Sequence, residues 1–279
     1  MKKIFYGGRS GSDFKLSVNT KAVQYGKGLF ETILVEKGLP LFLREHLERL
    51  RTAVKLFWDS FPFDNIDGAI RSFIEHNAFT TGILKIIVFE ETDAPDYLLI
   101  FDDDGLPYLT PSYDRGMHLI PFNVARDGRS VFYKLKTLSF IENLITKEAA
   151  EKRNAHEAVL INTDGSVLEC SYSNLFIKTG GRIYTPPDSE PIFPGITRSL
   201  IIKNAARCGE RIIERKITKT ELSAAEEIFV TSSLKGVMPV HKIEGIFLNT
   251  GKGETTGRIA AIYEQLKETN IAKHGGTGA

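Results

Sequence analysis

The chain has 279 residues, of which 42% are hydrophobic and 25% charged, enough apolar material for one large or two modest domains. Its 36 Lys and Arg residues balance 35 Asp and Glu residues, so no basic excess favours nucleic acid or an anionic membrane. The two cysteines form no CxxC pair and the six histidines are scattered, so we expect a reduced protein without disulfides or a metal site. No signal-peptide core or apolar run of membrane length occurs, which predicts a soluble cytoplasmic protein.

Apolar periodicity predicts alternating strands and helices in the N-terminal part of the chain. Leu47, Leu50 and Val54 recur at helical spacing and indicate an amphipathic helix. Two dense apolar runs flank the polar turn at residues 90–96 and indicate strands. In chain order, the predicted elements are strand 2–6, strand 14–18, strand 29–35, helix 43–58, helix 64–76, strand 84–89 and strand 97–101.

A change of composition follows these elements. Pro107, Pro111 and Pro121 space out a stretch of weak periodicity, which predicts a domain boundary near residues 108–125. We therefore expect the following division: a small N-terminal α/β domain over 1–112, a linker over 113–125, a larger C-terminal domain over 126–274 and a flexible tail over 275–279.

Turn residues organise the C-terminal part. Asp164-Gly165 and Gly180-Gly181 each lie between apolar alternations, the pattern of a β-hairpin. The predicted elements here are helix 138–152, hairpin strands beginning with 158–161 and 174–178, helix 197–208, strand 211–215, strand 227–231 and helix 259–269.

Two lysines in this part are candidates for covalent chemistry. Lys134 and Lys136 lie in an apolar stretch, and a partly desolvated lysine can form a Schiff base with an aldehyde. The alternative is an ordinary surface lysine, and the two-residue spacing alone does not separate these two candidates.

A carboxylate and a possible anion site follow the lysines in the sequence. Glu169 ends an apolar strand, although a solvent-exposed hairpin glutamate would give the same pattern. Gly195-Ile196-Thr197 opens a helix, whose first amides can bind an anion or can simply form an N-cap. An amine, a carboxylate and an anion nest are the contacts that pyridoxal 5'-phosphate requires.

Two further elements suit a phosphate group. Ser232 and Ser233 follow an apolar strand and present hydroxyls and amides, which favour a phosphate or a substrate carboxylate unless they form a plain polar turn. Arg49 lies beside Leu47 and Leu50 and suits bidentate phosphate binding, or else belongs to the solvated face of its helix.

The order of these elements resembles the class IV aminotransferase family, the fold type IV pyridoxal-phosphate enzymes. The resemblance covers most of the chain. The motifs that carry it are Tyr25-Gly26-Lys27-Gly28-Leu29-Phe30-Glu31-Thr32, His46-Leu47-Glu48-Arg49-Leu50, Lys136-Thr137, Glu169 with Ser173-Asn174-Leu175-Phe176, and Gly195-Ile196-Thr197-Arg198.

The resemblance implies a fold, a cofactor and a set of roles. It implies a two-domain α/β protein with a barrel-like C-terminal domain, a homodimer, and pyridoxal 5'-phosphate bound between the domains. It selects Lys136 over Lys134 as the Schiff-base lysine. It assigns Glu169 to the pyridine nitrogen. The phosphate residues that it implies are Arg49, Gly195, Ile196, Thr197, Ser232 and Ser233, and the substrate-side residues are Tyr25, Phe30 and Leu234.

One segment bears on the reaction. Residues 232–240 read Ser-Ser-Leu-Lys-Gly-Val-Met-Pro-Val, which is similar to the corresponding segment of 4-amino-4-deoxychorismate lyases. We therefore expect a lyase that forms p-aminobenzoate and pyruvate, in folate biosynthesis. A branched-chain or D-amino acid aminotransferase is the alternative, and an inactive binding protein on the same fold is the remote one. Ile141 stands where branched-chain enzymes carry tyrosine, and Glu90 stands where many relatives carry an arginine that binds a substrate carboxylate.

Overall fold

The computed structural model describes residues 2–7, 9–59, 61, 63–90, 95–103, 113–245 and 253–275. These residues divide into two compact units. The first unit contains the described residues up to 103 together with 135–139 and 267–275, and the second contains 113–134 and 140–266. Among the described residues, none of the helices combines the length and hydropathy needed to cross a bilayer.

The first unit is built on an antiparallel sheet. Its strands lie in the order β2-β1-β6-β5-β3-β4. In chain order the elements are β1 Lys2–Tyr6, β2 Arg9–Gly11, α1 Lys21–Tyr25, β3 Gly28–Glu36, β4 Leu39–Pro40, α2 Leu43–Val54, α3 Phe63–His76, β5 Gly82–Glu90 and β6 Pro95–Asp102.

Alternation along β3 and β5 gives this sheet two different faces. Leu29 and Ile33 on β3 point to one face and join the core formed with Leu50 of α2 and Ile70 of α3. Phe30 and Thr32 point to the opposite face, while Glu31 shares the face of Leu29 and Ile33. The helical periodicity that predicted α2 is confirmed, and it exists because the buried residues of α2 cover this sheet.

Residues 135–139 return to the first unit and lie along the start of β3. Thr137 is opposite Leu29 in an antiparallel bridge. The Phe30 amide donates to the Lys136 carbonyl over 2.8 Å, and the Leu138 amide donates to the Gly28 carbonyl over 2.9 Å. A side chain at Gly28 would approach Leu138 and come within 2.8 Å of a backbone carbonyl, so the close contact requires glycine.

The second unit contains a curled sheet of mixed direction. The strand order is β12-β11-β10-β14-β15-β7-β8-β9-β13. Its elements are β7 Met117–Val124, α4 Ile141–Glu151, β8 Glu157–Asn162, β9 Ser166–Cys170, β10 Asn174–Thr179, β11 Arg182–Thr185, α5 Ile196–Asn204, β12 Ile212–Glu214, β13 Ile217–Thr218, α6 Lys219–Ser223, β14 Glu227–Ser232, β15 Gly236–Ile243 and α7 Glu254–Gly275.

The expected fold class, α/β with a barrel-like second sheet, is confirmed. Both predicted hairpins are present, because Gly165 and the pair Gly180-Gly181 adopt the positive φ angles that their turns require. The predicted strand over 14–18 is wrong, since these residues form no strand.

The structure differs from the expected domain boundaries in three places. β7 occupies most of the expected linker 113–125, where it pairs with β15 and β8 in the interior of the sheet despite Pro121. Residues 135–139 belong to the first unit. The end of α7 belongs there too, because Asn270 accepts a hydrogen bond from the Phe42 amide. Residues 276–279 of the expected tail lie outside the described residues.

Candidate active site

The side chain of Lys136 lies on the face of the first sheet that α2 and α3 do not cover. Its Nζ atom is 4.7 Å from the centroid of the Phe30 ring. The hydrogen bonds between residues 136–138 and β3 fix the backbone that carries this lysine. The amine of a lysine fixed in this way can form a Schiff base with an aldehyde.

Lys134 has a different role. Its ammonium donates to the carbonyl of Asp188 over 2.7 Å, to that of Ile192 over 3.2 Å, and also to that of Glu190. These contacts tie the loop before α5 to residue 134. Three backbone acceptors hold this ammonium, so Lys134 has a structural role in this loop.

Arg49 is held by a buried carboxylate on β3. Its Nε and Nη2 atoms donate to the two oxygens of Glu31 over 2.8 and 2.6 Å. His46 Nδ1 lies 2.7 Å from Glu31 Oε2. Burial raises the pKa of Glu31, but the charge of Arg49 and the hydrogen bond with His46 outweigh it and lower the pKa to about 2. Burial also lowers the pKa of His46.

This arrangement rules out a fully solvated position for Arg49, whose side chain is 17% exposed. The bidentate pair with Glu31 orients the guanidinium plane. Sequence analysis identified Arg49 but missed Glu31 and His46 as its partners, although all three stand in the two motifs that carried the resemblance.

Glu169 is buried at the end of β9 and bound on both oxygens. Arg126 Nη1 donates to Oε1 over 2.7 Å, while the Phe193 amide and Asn174 Nδ2 donate to Oε2 over 2.9 and 3.3 Å. Glu169 is therefore not a solvent-exposed hairpin residue. Arg126, 6% exposed and also bonded to the Pro191 carbonyl, is a site residue that the sequence pattern did not indicate.

The Gly-Ile-Thr turn begins α5. Gly195 is the N-cap, and no side chain caps the helix. A Cβ atom at position 195 would collide with the side chain of Asn174, which donates to Glu169, so this close contact also requires glycine. Ile196 is buried, and Thr197 is 2% exposed.

The hydroxyl of Thr197 supports an anion site. Among the described residues, Thr197 Oγ1 is buried and has no hydrogen-bond partner. A buried hydroxyl without a partner is unfavourable unless a ligand satisfies it. The uncapped amides at the start of α5 are donors for the same ligand, so the residues present fit a phosphate group.

Ser232 ends β14, and Ser233, Leu234 and Lys235 form the turn to β15. The Ser232 hydroxyl accepts from the Lys235 amide over 3.2 Å. Lys235 Nζ donates to the fully buried Glu157, which also accepts from the Ser173 hydroxyl over 2.7 Å. This ion pair fixes the turn against β8. α5 packs against β14, so Thr197 and this turn belong to neighbouring elements.

The end of β5 carries a carboxylate instead of an arginine. Glu90 accepts from Lys27 over 2.6 Å and from Lys21 and the Trp58 indole over 2.9 Å each. The hydrogen bonds from Lys27, Lys21 and Trp58 lower the pKa of Glu90 to about 2. Tyr25, in the same motif as Lys27, is 74% exposed.

Comparisons with known proteins identify the family of this chain. The sequence profile of the family described as "Amino-transferase class IV" matches residues 28–243. The chain belongs to the class IV aminotransferase family. It is 30% identical to a D-alanine aminotransferase of Staphylococcus aureus over 281 residues, which cover 97% of this chain and 99% of the relative. It is 27% identical to a branched-chain-amino-acid aminotransferase of Salmonella typhimurium over 282 residues, which cover 90% of this chain and 87% of the relative.

Solved structures share the fold of this chain. A Legionella pneumophila protein named "putative 4-amino-4-deoxychorismate lyase" superposes with a TM-score of 0.81 at 25% identity, covering 91% of this chain and 96% of that chain. A hypothetical aminotransferase from Mycobacterium tuberculosis, bound to α-ketoglutarate and pyridoxamine phosphate, superposes with a TM-score of 0.86 at 22% identity over 96% of this chain and 99% of that chain. Class IV aminotransferases are pyridoxal-phosphate enzymes, and the expected cofactor of this chain is confirmed.

Proposed function

We propose that Lys136 is the covalent anchor for pyridoxal phosphate and that Glu169 binds its pyridine nitrogen. The fixed position of each group supports this: Lys136 is held against Phe30, and Glu169 is oriented by Arg126. We further propose that the phosphate is bound by Arg49, Gly195, Ile196, Thr197, Ser232 and Ser233. When bound, the cofactor supplies an electron-withdrawing ring that stabilises negative charge on a substrate carbon.

The protein's residues then orient the substrate and move a proton. Lys136 Nζ is the group that accepts and returns a proton at the reacting carbon, as a general base and acid. Phe30 limits the access of water to that nitrogen, since its ring is 7% exposed and lies against the amine. Tyr25 and Leu234 are proposed to contact the substrate.

We propose that the reaction is the conversion of 4-amino-4-deoxychorismate to p-aminobenzoate and pyruvate. The observation that carries this proposal is the turn between β14 and β15, whose Ser-Ser-Leu-Lys-Gly sequence is similar to that of the lyases. The similarity to the Legionella protein supports it. In this reaction, Lys136 returns its proton to the pyruvate fragment as the ring becomes aromatic.

Transamination is the second candidate. The relatives of about 30% identity named D-alanine aminotransferases favour it, as do the branched-chain enzymes. Both reactions use Lys136 in the same way and differ in the bond that breaks next. The chemistry of the anchor therefore does not separate them.

Product analysis separates the two reactions. Purified holoenzyme is incubated with aminodeoxychorismate, and p-aminobenzoate and pyruvate are quantified. In parallel, D-alanine and L-leucine are each added and the absorbance of the cofactor is followed. Equal amounts of both products support the lyase. No p-aminobenzoate, together with conversion of the cofactor to its pyridoxamine form, supports the aminotransferase instead.

We also propose a homodimer that forms through α4. Ile141, Leu144 and Ile145 recur on one face of this helix and are 61%, 42% and 51% exposed. An apolar stripe of this kind on a helix surface is typical of a surface that is buried by association. A second copy of the chain is the proposed partner.

A further inference from the structure

A second lysine shares the Phe30 ring with Lys136. Lys85 is the fourth residue of β5 and lies opposite Thr32 of β3 in the sheet. Its Nζ atom is 4.6 Å from the centroid of the Phe30 ring, and Lys136 Nζ is 4.7 Å from the same centroid. Because residues opposite each other in antiparallel strands share a face, Lys85 lies on the face that carries Phe30.

The surroundings of Lys85 are unusual for a lysine. On the same face of β5, its neighbours Ile83 and Ile87 are apolar and half-buried. Within the described part of the chain, Lys85 has no hydrogen-bond or ion-pair partner, and its only specific contact is the Phe30 ring. Burial lowers the pKa of Lys85, and the charge of Lys2 adds to this effect. A half-buried cation without an anionic partner is unfavourable, and such groups are concentrated at functional sites.

The neighbouring charges do not supply that partner. Glu90, on the same strand, is five residues away and therefore on the opposite face, where Lys21, Lys27 and Trp58 hold it. Glu31 also points away from Phe30 and is bonded to His46 and Arg49. On the same face as Lys85, Asp102 of β6 lies opposite Ile83 and pairs with Lys2 over 3.7 Å. Among the described residues, no carboxylate forms an ion pair with Lys85.

We propose that Lys85 binds a carboxylate of the substrate, beside the Phe30 ring and close to Lys136. The inference rests on the proposed role of Lys136, but it holds for either of the two reactions, because both act on substrates that carry a carboxylate. The ammonium of Lys85 supplies the positive charge that Glu90 does not. Both amines lie within 5 Å of the centroid of the Phe30 ring, at 4.6 and 4.7 Å.

The experiment compares three holoenzymes: wild-type, Lys85→Met and Lys85→Arg. Methionine keeps the length and apolar packing of the side chain and removes the charge, while arginine keeps the charge. We expect KM for the substrate identified by product analysis to rise about 10- to 100-fold in Lys85→Met, the effect of losing one hydrogen bond to a charged group. We expect kcat to change by less, and Lys85→Arg to recover part of the affinity.

Binding without turnover gives a second measurement. Calorimetry yields the dissociation constants of 4-aminobenzoate and of aniline, which lacks the carboxylate. Weaker binding of 4-aminobenzoate alone in Lys85→Met supports the inference. Unchanged KM and unchanged 4-aminobenzoate affinity overturn it, as does an equal loss for aniline. Loss of the cofactor absorbance in Lys85→Met also overturns it, because Lys85 would then serve the cofactor.

The same measurements distinguish a wrong role for Lys136 from a wrong role for Lys85. If wild-type protein reconstituted with pyridoxal phosphate shows no near-visible absorbance, the role of Lys136 is wrong and the inference about Lys85 is withdrawn with it. If wild-type protein shows the absorbance and converts its substrate, the comparison of the Lys85 variants alone decides whether Lys85 binds the carboxylate.

Discussion

Replacing Glu31 by glutamine should destabilise the first unit in a pH-dependent way. In the wild-type protein the buried Glu31 carboxylate is bonded to Arg49 and His46. Glutamine has nearly the same shape, but it carries no charge to balance the Arg49 guanidinium. The variant therefore tests the electrostatics of the pair with little change in packing.

The lowered pKa of Glu31 gives the size of the expected loss in the free energy of unfolding. The pKa of Glu31 is lowered from 4.5 to about 2 in the folded protein. A tenfold change in an acid dissociation constant corresponds to about 1.4 kcal/mol, so the ionised carboxylate contributes about 3 kcal/mol to the free energy of unfolding. Because the folded pKa is the lower one, this contribution is complete above the unfolded pKa and is lost as pH falls from about 5 towards 2.

The assay is urea denaturation followed by the fluorescence of Trp58. It is the only tryptophan in the sequence and is 9% exposed in the core of the first unit, so it reports on that unit. We expect the free energy of unfolding of Glu31→Gln to be about 3 kcal/mol lower than that of wild-type at pH 7. At pH 3 this difference in the free energy of unfolding should be about 1 kcal/mol.

Glu48→Gln is the matched control. Glu48 pairs with Arg44 on the exposed face of α2, where solvent screens the interaction. We expect this variant to unfold at the same urea concentration as wild-type at both pH values. If Glu31→Gln also unfolds like wild-type at pH 7, or if its gap does not depend on pH, the reasoning is refuted.

Three further predictions concern the second unit. Arg126→Met removes the cation from Glu169, so cofactor affinity should fall at least about tenfold in titrations of the apoenzyme, and an affinity within twofold of wild-type would contradict this. Lys235→Met leaves Glu157 buried without its cation and should lower the melting temperature by at least about 5 °C, with part of the loss recovered by adding Glu157→Gln. Ile145→Glu places a charge in the proposed dimer surface and should shift the protein towards monomer in sedimentation velocity; an unchanged dimer would exclude this face.

Local signals in the sequence predicted much of the fold. The hairpins at Gly165 and Gly180 followed from residues that determine turn geometry by themselves. β7 was missed because its proline resembled a strand breaker, and only its pairing with neighbouring strands identifies it. The pairing of residues 135–139 with β3 was not predicted, because it depends on hydrogen bonds between residues that are distant in sequence.

In the candidate site, too, local motifs were recognised from the sequence and tertiary contacts were not. The candidate residues Lys136, Glu169 and Arg49 were identified from sequence motifs. Their partners were not, because Arg126 and Glu31 act through tertiary contacts that no spacing along the chain encodes. The contact of Gly195 with the Asn174 side chain was not predicted either, because it joins residues that are distant in sequence.

The most direct test of the central claim locates the covalent bond between protein and cofactor. Protein reconstituted with pyridoxal phosphate is reduced with borohydride, digested and mapped by mass spectrometry, in parallel with Lys136→Ala and Lys134→Ala. We expect the label on Lys136 in wild-type protein and in Lys134→Ala, and no label in Lys136→Ala, which should also lose the near-visible absorbance. A label on Lys134 or Lys85 in wild-type protein, or no label at all, would contradict the account.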